Sequence, residues 1–134
     1  MIERIYDADD SYLHEVLGFV EEELEKHDCN MKAQMAIALS LEEMFVNICH
    51  YAYEGKTGDA SISLDFDDEG YVSITLKDHG IPYDPLARED PDVNAAAEDR
   101  GIGGLGIYLT KKQMDECSYR REDDMNIFTM RKKM

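Results

Sequence analysis

Apolar residues recur along the chain in two rhythms, and these predict most of its elements. Leu13, Val16, Leu17, Val20 and Leu24 stand at helical spacing and predict an amphipathic helix over residues 11–26. Glu15, Glu21, Glu22 and Glu25 form its solvated side, and His14 and His27 near its ends read as exposed or partly packed side chains. A short β-like opening, residues 2–6, precedes it, followed by Asp7-Ala8-Asp9-Asp10, whose carboxylates can cap the helix. A second helix is predicted over residues 31–53, a stretch without proline or glycine. Ile37, Leu41, Met44, Ile48 and Ala52, with Phe45 beside them, face a sheet.

Beyond a turn at residues 54–59 the period drops to two. Ile62, Leu64 and Phe66 alternate with Ser61, Ser63 and Asp65, residues 67–70 signal a hairpin, and residues 71–77 bury Val72, Ile74 and Leu76. A helix over residues 105–114, packing Ile107, Tyr108 or Leu109, and Met114, and a hairpin of residues 119–122 and 127–131 complete the pattern. Arg131-Lys132-Lys133 reads as a short solvated basic tail. The predicted order gives an α+β fold, a two-layer sandwich with helices on one face of a mainly antiparallel or mixed sheet, and residues 1–134 as a single domain.

Three places break the pattern in ways that suggest chemistry. Strand parity carries Asp78 to the inward side, where a hydrophobe is expected, and a buried acid needs a partner; alternatively the strand ends at Lys77 and Asp78 caps a turn with Gly80. Residues 79–99 hold all three prolines, Pro82, Pro85 and Pro91, and read as a lid between Asp78 and a glycine stretch, with His79 as a loop residue. That stretch, Arg100-Gly101-Ile102-Gly103-Gly104-Leu105-Gly106, opens a helix, so its backbone N–H groups and the helix dipole can cradle a phosphate. Alone, such a run also builds turns and helix starts that bind nothing. On the second helix, Glu43, Asn47 and His50 fall together on the side opposite the sheet-facing stripe, with Ala36 and Ser40 close by and Glu43 and Asn47 one turn apart; an ordinary solvent face is the competing reading.

Composition narrows the partners. Asp plus Glu number 30 against 14 Lys plus Arg, a formal charge of -16, which argues against nucleic acid or an anionic membrane. Cys29, Cys49 and Cys117 are odd in number, without zinc spacing, and read as reduced thiols. With no leader-like start and no long apolar run, the expectation is a soluble cytoplasmic protein.

Glu43-x-x-x-Asn47, Asp78-x-Gly80 and Gly101-x-Gly103-Gly104-x-Gly106, in that order, resemble the Bergerat-fold, histidine-kinase-like ATPase superfamily. LEEMFVNICHYAY, DHGIPYDP and RGIGGLGIYLTKKQMDE further resemble the bacterial anti-sigma factor serine/threonine protein kinases, over residues 31–133. The resemblance implies ATP and Mg²⁺ as cofactors. It implies Asn47 as the protein's Mg²⁺ ligand, Glu43 as the general base, Asp78 as the acceptor for the adenine 6-amino group and Gly80 as the point of close approach to the base. Gly101, Gly103, Gly104 and Gly106 would then contact the phosphates, with Arg100 as a further phosphate contact. Pro82 stands where many superfamily members have glycine, which puts lid geometry in question.

The function implied is phosphorylation of an anti-anti-sigma, STAS-type partner, with sequestration of a sigma factor as a second output and a homodimer by family analogy. The alternative is a nucleotide-dependent binding module with little or no phosphotransfer. A histidine kinase fragment is disfavoured because no separate helix pair carries a phosphoacceptor histidine.

Overall fold

Among the described residues, five strands, Ile2–Asp7 (β1), Asp59–Phe66 (β2), Tyr71–Asp78 (β3), Glu116–Glu122 (β4) and Met125–Lys133 (β5), form one sheet in the order β1-β2-β3-β5-β4. Every neighbouring pair is antiparallel, which resolves the choice between an antiparallel and a mixed sheet. Among the described residues, three helices, Leu13–Lys26 (α1), Met31–Asn47 (α2) and Gly104–Gln113 (α3), complete the α+β fold. This computed structural model describes residues 1–87 and 104–134, with side chains described at 1–87 and 106–134.

The core lies between α1, α2 and one face of the sheet. Ile62 and Leu64 of β2, Val72, Ile74 and Leu76 of β3 and Met130 of β5 pack with Val16, Val20 and Leu24 of α1 and Ile37, Leu41 and Phe45 of α2. Each such side chain contributes roughly 1.5–3 kcal/mol by leaving water. Sequence periodicity is thus obeyed where the elements face this core, including the whole predicted stripe of α2.

Side-chain oxygens start the turn before α1 and α2 itself. Asp9 Oδ1 accepts from Ser11 N at 2.9 Å, opening a 3-10 turn at Asp10–Tyr12 that leads into α1. Asn30 Oδ1 accepts from Ala33 N at 2.8 Å and starts α2. The predicted single helix over residues 31–53 is α-helical only to Asn47, and Ile48–Ala52 continues it as a π-helix. This wider turn keeps Ile48 and Ala52 buried and leaves Tyr51 half exposed.

Four other expectations need correction. The last three basic residues belong to β5: Arg131 stacks on Tyr71, 3.7 Å from the ring centre, and pairs with Asp67 at 2.9 Å, while Lys132 Nζ donates to Gln113 O at 2.7 Å. Leu109 is exposed, and Thr110 takes the inward place on α3, its hydroxyl donating to Gly106 O at 3.0 Å. Ser40 is buried rather than on a solvent face, because α3 covers it and its hydroxyl donates to Gln113 Oε1 at 3.3 Å. β4 starts at Glu116, three residues before its predicted start, because pairing with β5 holds its polar beginning in the ladder. Of the lid reading, residues 79–87 are described, with Pro85–Ala87 as a 3-10 turn, and residues 88–99 lie outside the described residues.

Candidate functional site

Asp78 is the last residue of β3 and is paired on both sides, with Ala60 of β2 and Asn126 of β5. The strand therefore does not end at Lys77, and parity puts the carboxylate inside, 5 % exposed. Its partners are specific. Gly80 N and Asn126 Nδ2 each donate to Asp78 Oδ1 at 2.9 Å. Among the described residues both hydrogen bonds fall on this one oxygen, so Oδ2 is the acceptor left for whatever fills the adjoining space.

That space is a cavity of about 390 Å³ between the end of α2 and the ends of β3, β5 and β4. Met44, Ile48, Leu76 and Phe128 give it apolar walls, Tyr51, Tyr83 and Tyr119 add aromatic surface, Asn47 and Asp78 supply convergent polar groups, and Asn126 lines it beside Asp78. The volume and the mix of apolar walls with a few placed polar groups suit a small planar ligand.

The chain leaving β3 is pinned tightly. A side chain at Gly80 would overlap the backbone carbonyl of Ala52, and Ile81 N donates to that same carbonyl at 2.9 Å, so only glycine lets the strand end lie against the π-helix. His79 N donates to Tyr53 Oη at 2.8 Å, and the Tyr53 hydroxyl donates to Asp59 O. Burial, more than any neighbour, raises the Tyr53 phenol above its usual range. Arg121 Nη1 donates to Gly80 O at 2.9 Å, and Asn126 Nδ2 donates to Ile81 O at 2.8 Å.

Asn47 lines the cavity, and Glu43 lies one turn before it on α2. The Glu43 carboxylate sits directly against Gly106 of α3, in the space a side chain there would take. The fold therefore brings Glu43 and Gly106 together, two residues into the helix that Gly104 opens, and places Asn47 on the same cavity as Asp78. Arg100, Gly101 and Gly103 lie outside the described residues. His50 does not join the group: its Nε2 meets Asp10 Oδ2 at 2.6 Å, on the side of the β1–α1 connection. Beside it, burial first and then Asp10 and Asp9 push the Cys49 thiol up to about 12.

Sequence reasoning missed Asn126, although its signal was available. Counting back by two from buried Met130 and Phe128 places this amide on the inward face, opposite Asp78. Tyr119 Oη donates to Asn126 Oδ1 at 2.6 Å. Among the described residues no group of three or more His, Cys, Asp or Glu could hold a metal. Nor is any helix there long and apolar enough to cross a membrane.

The fold and this cavity define an ATPase-type nucleotide domain, and comparison with known proteins gives the family. The chain belongs to the histidine kinase-like ATPase domain family, whose model matches residues 6–132. It is 33% identical over 81 residues to the nisin biosynthesis sensor protein NisK of Lactococcus lactis subsp. lactis, covering 59% of this chain and 18% of that protein. Among solved structures, it resembles the RsbU and RsbW domains of Rv1364c from Mycobacterium tuberculosis, with a TM-score of 0.66, 12% identity, and coverage of 99% of this chain and 32% of that one. It also resembles the histidine kinase domain of the blue-light activated histidine kinase from Erythrobacter litoralis EL346, with a TM-score of 0.57, 16% identity, and coverage of 89% and 59%. Those identities speak for the fold alone, and the chain spans less than two thirds of each of these relatives.

Proposed function

We propose that this domain is an ATP- and Mg²⁺-dependent serine/threonine protein kinase that phosphorylates a small STAS-type anti-anti-sigma partner and so regulates a sigma factor. The observation that carries this reading is the placement of Glu43: a carboxylate one turn from Asn47 and against the start of α3, outside the cavity that Asp78 lines. Binding a nucleotide needs no acid there, whereas moving a proton from a hydroxyl does.

In this reading Asp78 Oδ2 accepts the adenine 6-amino hydrogen, and Met44, Ile48 and Tyr51 exclude water from the ring. The backbone N–H groups of Gly101, Gly103, Gly104 and Gly106, with Arg100, hold the phosphates at the positive end of α3. Asn47 would offer its amide oxygen to the metal. One amide among phosphate oxygens and waters suits Mg²⁺, which keeps much of its hydration and rarely takes an all-protein cage. Bound there, Mg²⁺ would neutralise charge between the phosphates. Glu43 takes the proton from a seryl or threonyl hydroxyl as its oxygen bonds to the γ-phosphorus and the bond to the ADP oxygen breaks.

The likeness to NisK favours a second reading, the ATP-binding part of a sensor histidine kinase. One experiment separates the two: incubation with γ-labelled ATP, Mg²⁺ and, in parallel arms, candidate STAS partners or a histidine-bearing dimerisation helix pair, followed by an acid-stability assay of the label. Acid-stable phosphoserine or phosphothreonine on the partner supports the kinase proposed. Acid-labile phosphohistidine supports the sensor reading, and ATP binding without any transfer supports a sequestration module.

A further inference from the structure

We infer that Asn126 sets the base selectivity of the cavity: by saturating one oxygen of Asp78 it leaves a single acceptor, which fits adenine and refuses guanine. This rests on the reading of the cavity as a nucleotide site. A carboxylate has two oxygens, each with two lone-pair directions. At Asp78 both directions of Oδ1 are taken, by Gly80 N and by Asn126 Nδ2, each at 2.9 Å.

The two purines make different demands on what remains. Adenine turns one amino hydrogen toward an acid, so Oδ2 alone satisfies it. Guanine binds a carboxylate through two parallel donors, its N1–H and its 2-amino group, which together need both oxygens. With Oδ1 filled, that pairing is unavailable, and in the adenine pose guanine sets its 6-oxygen against Oδ2, acceptor to acceptor. A carboxylate free to rotate would lack this discrimination. What makes Asp78 selective is therefore the lock on its orientation.

Asn126 is equipped to be that lock and nothing else. Its Nδ2 donates to Asp78 Oδ1 and to Ile81 O at 2.8 Å, and its Oδ1 accepts from Tyr83 N at 3.2 Å and from Tyr119 Oη at 2.6 Å. All four of its bonding positions are used within the protein, and a flipped amide would set its oxygen against two acceptors. The side chain is 6 % exposed. Having no capacity left for a ligand, Asn126 acts through Asp78 as a positioning residue.

The test is titration of fluorescent mant-ATP and mant-GTP with Mg²⁺ into the full chain, in wild type, Asn126→Leu and Asn126→Ala, with urea midpoints measured alongside. Leucine keeps the volume and removes the amide; alanine leaves room for water and serves if the leucine variant does not fold. The expected result is at least a tenfold fall in the ATP:GTP affinity ratio, carried in part by tighter GTP binding. A ratio within twofold of wild type, whatever the urea midpoint does, would overturn the inference and reduce Asn126 to a structural role. Asp78→Ala in the same titrations keeps the two levels apart. If it abolishes ATP binding while the Asn126 variants keep the ratio, only this inference falls. If it leaves ATP affinity unchanged, the nucleotide reading of Asp78 falls with it.

Discussion

The carboxylate of Glu43 on α2 occupies the space that a side chain on Gly106 of α3 would need. Gly106 stands within a helix, where glycine is disfavoured by about 1 kcal/mol relative to alanine. The end of a glutamate is flexible, so a methyl group there would displace the carboxylate without unpacking the helices. Gly106→Ala is therefore expected to match or exceed wild type in thermal stability while losing at least tenfold in phosphotransfer. Thermal melts and the labelled-ATP assay check the two halves together, and full transfer in Gly106→Ala would show that the carboxylate's position is immaterial.

Glu43→Gln tests the proton-transfer role in isolation. Glutamine keeps the shape and cannot take a proton, so ATP·Mg²⁺ affinity should stay within about threefold. Removing a general base typically lowers the rate by about 10²–10⁴. Single-turnover transfer to the partner reads the rate, and retained transfer would make Glu43 a bystander.

Burial makes the cysteine thiols weak acids: Cys49 is pushed up to about 12 and Cys117 to about 11. Because these folded values lie above the unfolded thiol's, near 8.5, their contribution to stability is complete below that pH and is lost as the pH rises toward 11–12. The urea midpoint should hold steady from pH 7 to 8 and fall by pH 10. Serine at Cys49 and Cys117 should flatten that fall. Iodoacetamide at pH 8 should label both thiols slowly in the native protein and rapidly in urea.

The Arg131 guanidinium ties β5 to the β2–β3 hairpin through Asp67, whose carboxyl the backbone N–H of Tyr71 and then Arg131 itself hold below the usual carboxylate range. A lowered folded value means that this stabilisation is complete above the unfolded value, about pH 4, and is lost as the pH falls below that through the folded value. Arg131→Ala also removes the stacking on Tyr71 and should lower the urea midpoint, with ATP affinity unchanged, because the pair lies at the far end of the strands from Asp78. Chemical denaturation and ATP titration of that variant check both statements.

The sequence made visible whatever depends on a repeating face. The stripe on α2 and the alternation in β2 and β3 mark the core, and the same parity puts Asp78 inside. Contacts between elements distant in the chain leave weaker traces. Nothing local to Ser40 shows that α3 will cover it, or that His50 will turn toward Asp10. Arg131 to Lys133 look like a tail because charge hides a strand whose neighbours, Tyr71 and Asp67, supply the stacking and the counter-charge. Asn126 was legible only by carrying the β5 alternation back from Phe128 and asking which residue it would face.

The claim that the cavity holds adenine through Asp78 is tested most directly by calorimetric titration of ATP and inosine triphosphate, which differ at position 6, into wild type and Asp78→Asn. In the variant the amide oxygen can keep the bonds from Gly80 and Asn126, which turns an N–H donor toward the cavity in place of Oδ2. Wild type should prefer ATP, and Asp78→Asn should lose more than tenfold in ATP affinity, over 1.4 kcal/mol, while gaining relative affinity for inosine triphosphate. Unchanged ATP affinity in Asp78→Asn would contradict the account.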